Sequence, residues 1–187
     1  MTPFHTSKTV LSSRMLRRII LVISLVVAFS LGTRVTWAQT SEYDIKAQFI
    51  YNILRMTEWK SAAIKKNGLV LCTLGADPFH SALDKVADKS SDLKIVLKRN
   101  IVLSDVTSCN ALYISSTEKD VGRIIRKIGS APILTFSDMQ GFVDEKGMVG
   151  FIDVDGKIRF EINMASVNAA DLKLSAKLLE LSRRIVR

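Results

Sequence analysis

The chain has 187 residues, 48% apolar, 24% charged and 7% aromatic. That suits one domain with its own core and excludes disordered, collagen-like and coiled-coil chains. The formal charge of +9 suggests a nucleic-acid binder, but Lys8, Arg14, Arg17, Arg18 and Arg34 all precede the first acid, Glu42; without residues 1–38 the balance is 22 basic against 18 acidic, a net +4 with no basic stripe, and no nucleic-acid partner is expected.

Residues 1–18 are polar and basic, Ile19–Leu31 is a 13-residue apolar run broken only by Ser24 and Ser30, and Gly32–Ala38 ends in Thr36-Trp37-Ala38. This is the order of a secretory leader. A helix of that run rises about 20 Å, short of the roughly 30 Å hydrocarbon core, and Arg34 stops its extension. The expected division is a signal peptide over 1–38, removed after Ala38, and one domain over 39–187. No stable membrane insertion follows cleavage, and an uncleaved anchor is the alternative.

Ser41-Glu42-Tyr43-Asp44 is expected to open a helix capped by Ser41. Ile45, Phe49, Ile50, Ile53, Leu54 and Met56 then cover about half its circumference, which fits either deep packing or a subunit interface. Trp59 closes the segment. Leu69–Leu74 reads as a strand after Asn67-Gly68, and Asp77-Pro78 as the start of a helix over Phe79–Ala87. Leu93–Leu97 and Ala111–Ser115 read as strands, Thr117–Ile128 as a helix, and Pro132–Phe136 as a fourth strand. Strands alternating with helices imply a mostly parallel sheet with helices on both faces. Met148–Ile152 and Lys157–Ile162, joined by Asp153-Val154-Asp155-Gly156, read as an antiparallel hairpin at the sheet edge. Ala165–Ala170 is a helical turn, and a final helix carries Leu174, Leu178, Leu181 and Ile185, with Arg183, Arg184 and Arg187 at its C-terminal pole. The fold class is α/β, a single domain with a mixed, mostly parallel sheet and a C-terminal edge hairpin.

Little in the sequence carries chemistry. Cys72 lies in the first strand and Cys109 just before the third; in an exported chain they are expected to be bonded, with two buried thiols as the alternative. His80 is the only histidine after the leader and makes no zinc spacing with the cysteines, so no metal is expected. Asp153-Val154-Asp155-Gly156 is not a calcium loop, because the sixth and twelfth positions are Ile158 and Met164. No nucleophile elbow, P-loop or dinucleotide fingerprint occurs, so neither catalytic residues nor a cofactor is expected.

Tyr43-Asp44-Ile45-Lys46-Ala47-Gln48-Phe49-Ile50-Tyr51-Asn52 with Glu58-Trp59, the stretch Cys72–Phe79, Cys109-Asn110-Ala111-Leu112-Tyr113-Ile114, and Phe160-Glu161-Ile162-Asn163 followed by Leu172–Leu179 resemble, in that order, the YfiR-like periplasmic regulators. The resemblance implies a periplasmic, non-enzymatic protein, often a homodimer, that binds the sensor domain of an inner-membrane diguanylate cyclase and holds it inactive. Cyclic-di-GMP then falls and biofilm formation is restrained. It also implies that Cys72 and Cys109 form the family's structural disulfide; a second, C-terminal cysteine pair of the family has no counterpart here. Partner contacts are expected on the first helix and the C-terminal helix, at Phe49, Ile53, Trp59, Leu178, Leu181 and Arg184. The rival is a periplasmic small-ligand-binding protein using the strand ends near Gly75 and Ser115.

Overall fold

The computed structural model describes residues 35–60, 64, 67–88 and 93–187; residues 1–34 of the expected leader over 1–38 lie outside them. The chain divides into two units, 1–39 and 40–187, and the second holds a seven-stranded sheet. The first helix, α1, runs Val35–Arg55. Ser41 therefore sits inside it and does not cap it: nothing from Val35 to Thr40 breaks a helix, and a local cap preference of about 1 kcal/mol does not force a start.

A two-residue strand β1 (Thr57–Glu58) follows, then β2 (Leu69–Leu74), helix α2 (Ala82–Asp88), β3 (Ile95–Ile101) and a 3-10 helix over Leu103–Ser108. Strand β4 (Ala111–Ile114), helix α3 (Val121–Ile128) and β5 (Leu134–Ser137) complete the parallel part. The remainder is the hairpin β6 (Val149–Val154) and β7 (Lys157–Asn163), helix α4 (Met164–Ala169), β8 (Lys173–Leu174), helix α5 (Ala176–Leu181) and β9 (Arg184–Val186). The main sheet has the order β3-β2-β4-β5-β6-β7-β9. Pairing is parallel from β3 to β6, antiparallel between β6 and β7, and parallel between β7 and β9. The mostly parallel α/β sheet expected from the sequence is present.

The strands alternate cleanly between two cores. Leu71, Tyr113 and Phe136 face one side, where Ile50, Ile53 and Leu54 of α1 and Leu83 of α2 pack on them. Cys72, Leu112 and Ile114 face the other, under Ile124 and Ile128 of α3 and Val106 of the 3-10 helix. Strands covered on both faces read as near-continuous apolar runs, which is why β2 and β4 were visible in the sequence.

Several boundaries move. Helix α2 starts at Ala82 and not at Phe79, because His80 has φ +49° and cannot continue a right-handed helix. The Asp77 carboxylate instead accepts from the Phe79 N–H at 2.9 Å, closing a turn and not capping a helix, and His80 is exposed on that turn. Strand β3 extends to Ile101 because it follows the full length of β2, Leu69 opposite Ile95 and Leu74 opposite Ile101. Asp120, accepting from the Arg123 N–H at 2.8 Å, caps α3, so that helix begins four residues later than its acidic approach suggested. The hairpin turn is as expected: Val154 pairs with Lys157, and Asp155 and Gly156 both take positive φ, 53° and 73°, the mirror-image turn that suits twisted strands. The hairpin is not the edge, however, because β9 adds outside β7.

The expected final helix is corrected most. Leu174 belongs to β8 and Ile185 to β9, so α5 keeps only Leu178 and Leu181 of the four. Two open strands, β1 and β7, were available to pair with the flanks. Ser175 caps the start through the Leu178 N–H, and the Ser182 hydroxyl bonds the Leu179 carbonyl at the end. Heptad spacing over about three turns is weak against such pairings.

Gly147 lies against the buried ring of Phe142: a Cβ there would come within 2.3–2.5 Å of three ring carbons. Gly147→Ala should therefore lower stability by about 1–3 kcal/mol through overpacking. Urea unfolding of the two proteins measures it, and an unchanged midpoint would show that the ring can move aside.

Candidate functional site

The parallel strands β2, β4 and β5 end side by side, and the chain leaves β2 toward β3 but β4 toward β5. In open α/β sheets the crevice at such a divergence is the usual ligand position. Here the protein's own side chains occupy it. Gly75 has φ +82°, and a Cβ there would lie 2.8 Å from both the Thr117 Oγ1 and a Glu118 carboxylate oxygen. The Ala76 N–H donates to Thr117 Oγ1 at 3.1 Å, and that hydroxyl lies 3.1 Å from Ser115 Oγ. The strand ends near Gly75 and Ser115, proposed for the rival reading, are thus bridged by Thr117.

On the α1 side of the same strand ends lies a buried charged cluster that the sequence reading missed. Lys46 is only 3% exposed. Its Nζ is 2.7 Å from Oδ2 of Asp138, just beyond β5, and 2.5 Å from Oε1 of Glu42, one turn earlier on α1. The Tyr43 hydroxyl donates to the same Asp138 oxygen at 2.9 Å, and the ammonium sits 4.4 Å from the Tyr43 ring centre. Burial acts to raise the Asp138 carboxyl, but the hydrogen bond and charge of Lys46 outweigh it, and its pKa falls below the ordinary carboxylate value. Burial, then the Asp138 charge, pushes the Tyr43 and Tyr113 phenols well above their usual range. The Tyr113 hydroxyl and the Asp138 Oδ1 are both buried and make no hydrogen bond of full geometry among the described residues, yet the two groups interact, Asp138 raising the phenol and Tyr113 lowering the carboxyl. Tyr43, Phe79 and Tyr113 stack edge to face, with ring centres 5.4 and 4.6 Å apart.

An ionised carboxylate held by an ammonium is a weak base, and these phenols keep their protons. The cluster therefore suits fixing α1 on the sheet better than moving protons. The signal for it was present: Lys46 shares a helical face with Ile50 and Ile53, at spacings of four and seven. A second ion group ties the loop after β2 to α2 and the edge strand, with Arg99 paired to Asp77 and, at 2.9 Å, to Asp84. Among the described residues no three His, Cys, Asp or Glu side chains are grouped to hold a metal.

Cys72 and Cys109 are bonded, with Cα atoms 6.0 Å apart, and both are buried on the α3 side of the sheet. The 3-10 helix brings Cys109 there, its N–H closing on the Val106 carbonyl.

The six residues expected to meet a partner divide by environment. Ile53 and Leu178 are 1% and 2% exposed and belong to the core; they support the body and present no surface. Phe49 is half-buried against Phe160, with ring centres 5.6 Å apart. Trp59 is half-buried, its indole N–H donating to the Pro132 carbonyl at 3.1 Å. Leu181 is 57% exposed at the end of α5. Arg184 is exposed and grips Glu161 and Asp144 in two forks, contacts that raise its own pKa and lower that of Asp144.

The tertiary structure places the two chosen segments together. Strand β1 pairs with β8, Thr57 opposite Leu174, and the Ser175 N–H donates to the Met56 carbonyl at 3.0 Å. Two surface crevices lie in these parts of the chain, the first of them beside the junction. One of about 540 Å³ is lined by Trp59, Lys60, Asn110, Pro132 and Asp171, and one of about 500 Å³ by Met164, Ala165, Asn168, Leu179, Ile185 and Arg187. No helix among the described residues is long and apolar enough to cross a membrane.

No curated protein sequence matches the chain. Among solved structures it is similar to the ABC domain in complex with L-Trp from Streptococcus pneumonia, at 8% identity and a TM-score of 0.54, covering 75% of this chain and 60% of that one. It is also similar to a conserved domain protein from Vibrio cholerae O1 biovar El Tor strain N16961, at 12% identity and a TM-score of 0.52, covering 76% of this chain and 60% of that one. At such identities the likeness is one of fold, and the chain spans only 60% of each protein's length. The YfiR/HmsC-like family model matches residues 43–183, from the tyrosine of the buried cluster on α1 to the residue before β9. The chain belongs to the YfiR/HmsC-like family.

Proposed function

We propose that this protein is a periplasmic, non-enzymatic regulator that binds the sensor domain of an inner-membrane diguanylate cyclase and inhibits it, lowering cyclic-di-GMP. The observation that carries the reading is the family match over residues 43–183. Residues 1–38 act as the export leader in this reading, and the domain works as a homodimer. The buried ionisable groups support a binding role, since Lys46, Asp138 and Tyr43 are spent on one another. The partner surface is the junction of α1 with the C-terminal segment, where Trp59 and Leu181 reach solvent and Phe49 lies partly open.

Inhibition by binding means a population shift: the protein must hold the inactive sensor more tightly than the active one. Holding a cyclase 99% inactive that is otherwise evenly poised takes a preference of roughly 100-fold, about 2.7 kcal/mol. The test uses residues 39–187 added to the periplasmic side of membranes containing the cyclases of the same cell. Cyclic-di-GMP synthesis is expected to fall to a saturable floor as the protein is titrated. Unchanged synthesis by every such cyclase would overturn the reading.

A further inference from the structure

We propose that the groove between α4, α5 and β9 receives an extended, acidic segment of the partner protein, which adds as a strand beside β9. The inference deepens the proposed function by adding a groove to the contact surface, and it rests on that reading for the partner's identity. Strand β9 is the outermost strand of the sheet, paired only with β7 in the sheet order. Its backbone is therefore a template for one more strand. Beside it runs the groove of about 500 Å³, whose walls are Met164 and Ala165 of α4, Leu179 of α5, and Ile185 and Arg187 of the last segment. Ile185 and Arg187 are alternate positions and both line the groove. A strand added beside them would drop its own alternate side chains into the same space.

Charge selects the occupant. Residues 173–187 carry Lys173, Lys177, Arg183, Arg184 and Arg187 against the single acid Glu180. Arg184 is neutralised by Glu161 and Asp144. Arg183 and Arg187 are exposed and belong to no ion pair among the described residues. A second copy laid along this edge would bring these cations against their own counterparts, which opposes self-pairing. An acidic strand with two or three apolar anchors fits instead, the backbone supplying attraction, the groove the anchor sites and the rim the sign of charge.

The test measures fluorescence anisotropy of labelled ten-residue peptides that alternate Leu or Val with Glu or Asp, against peptides with Lys in the acidic places. The acidic set should bind residues 39–187 at low salt and the lysine set should not. The double variant Arg183→Glu/Arg187→Glu should weaken binding at least about tenfold. Ala165→Phe, which fills the groove from an exposed position, should weaken it similarly with the melting temperature kept. Hydrogen exchange should show new protection at the β9 amides on peptide binding. Absence of binding, equal binding by the lysine set, or indifference to both variants would overturn the proposal. So would self-association that Ala165→Phe abolishes, which would assign the groove to a second copy, or charge-dependent binding to vesicles of anionic lipid without peptide binding. If the unaltered protein inhibits a membrane cyclase and both variants inhibit equally, the groove assignment fails and the functional reading stands. If the peptides bind as expected and no cyclase responds, the functional reading fails and the groove stands.

Discussion

Lys46→Met is expected to cost about 3–5 kcal/mol of stability, because it leaves the Asp138 carboxylate buried without its cation. That is a large part of the roughly 5–15 kcal/mol that holds a small domain folded. The size follows from the surroundings: the two side chains are 4% and 10% exposed, and without Lys46 the carboxylate keeps the Tyr43 hydroxyl at Oδ2 but no cation. Replacing both, as Lys46→Met/Asp138→Leu, removes the stranded charge and should recover much of the loss, so that the two changes are far from additive.

The pH dependence separates this account from simple loss of packing. In the native protein the Asp138 pKa is lowered, so its contribution is present above the unfolded carboxylate pKa of about 3.9 and fades as pH falls through the folded value. In Lys46→Met the carboxyl has lost its cation and burial raises its pKa. Its penalty is then full above that raised pKa and shrinks as pH falls through it, vanishing below the unfolded value of about 4. Denaturant midpoints measured from pH 3 to pH 8 should therefore show the gap between the two proteins closing on acidification. A gap that stays constant, or one below about 1 kcal/mol at neutral pH, would show that the pair is not the anchor of α1.

Opening the Cys72–Cys109 bond is the second large effect. The cysteines are 37 residues apart, and in the chain-entropy model a closed loop of that length destabilises the unfolded state by about 3–4 kcal/mol. Cys72→Ala/Cys109→Ala should lower the denaturant midpoint accordingly, with a steeper slope of unfolding, because the unfolded chain without its cross-link exposes more surface. Reductant should bring the native protein toward the same midpoint. The loss should be local as well as global. Cys109 closes the 3-10 helix, and Val106 is the buried residue of that helix. Amides of Leu103–Ser108 should therefore exchange faster than those of β4, which stays paired to both β2 and β5. Equal midpoints with and without reductant would remove the bond from the account of stability.

Much of this protein was determined by local sequence. The apolar runs at Leu69–Leu74 and Ala111–Ile114 needed to be strands buried on both faces, and the alternation Ile158, Phe160, Ile162 needed to be a strand wet on one side. Asp155-Gly156 specified its hairpin turn because two successive positive φ angles exclude most other pairs. The motifs on α1, at the first and third expected strands and near the C-terminus carried the family resemblance, since they recur in a fixed order along the chain.

Other features were decided only in three dimensions. The Lys46–Asp138 pair joins residues 92 apart, and a lysine on an apolar face acquires meaning only when a carboxylate is delivered to meet it. Leu174 and Ile185 carry helical spacing, yet open edges at β1 and β7 took them as strand residues, because a helix of about three turns holds too little energy of its own to refuse a ladder of backbone bonds. Ile53 and Leu178 read as candidate contact residues and became core for a similar reason. Periodicity shows that a face is apolar, and only the neighbouring elements decide whether that face is covered.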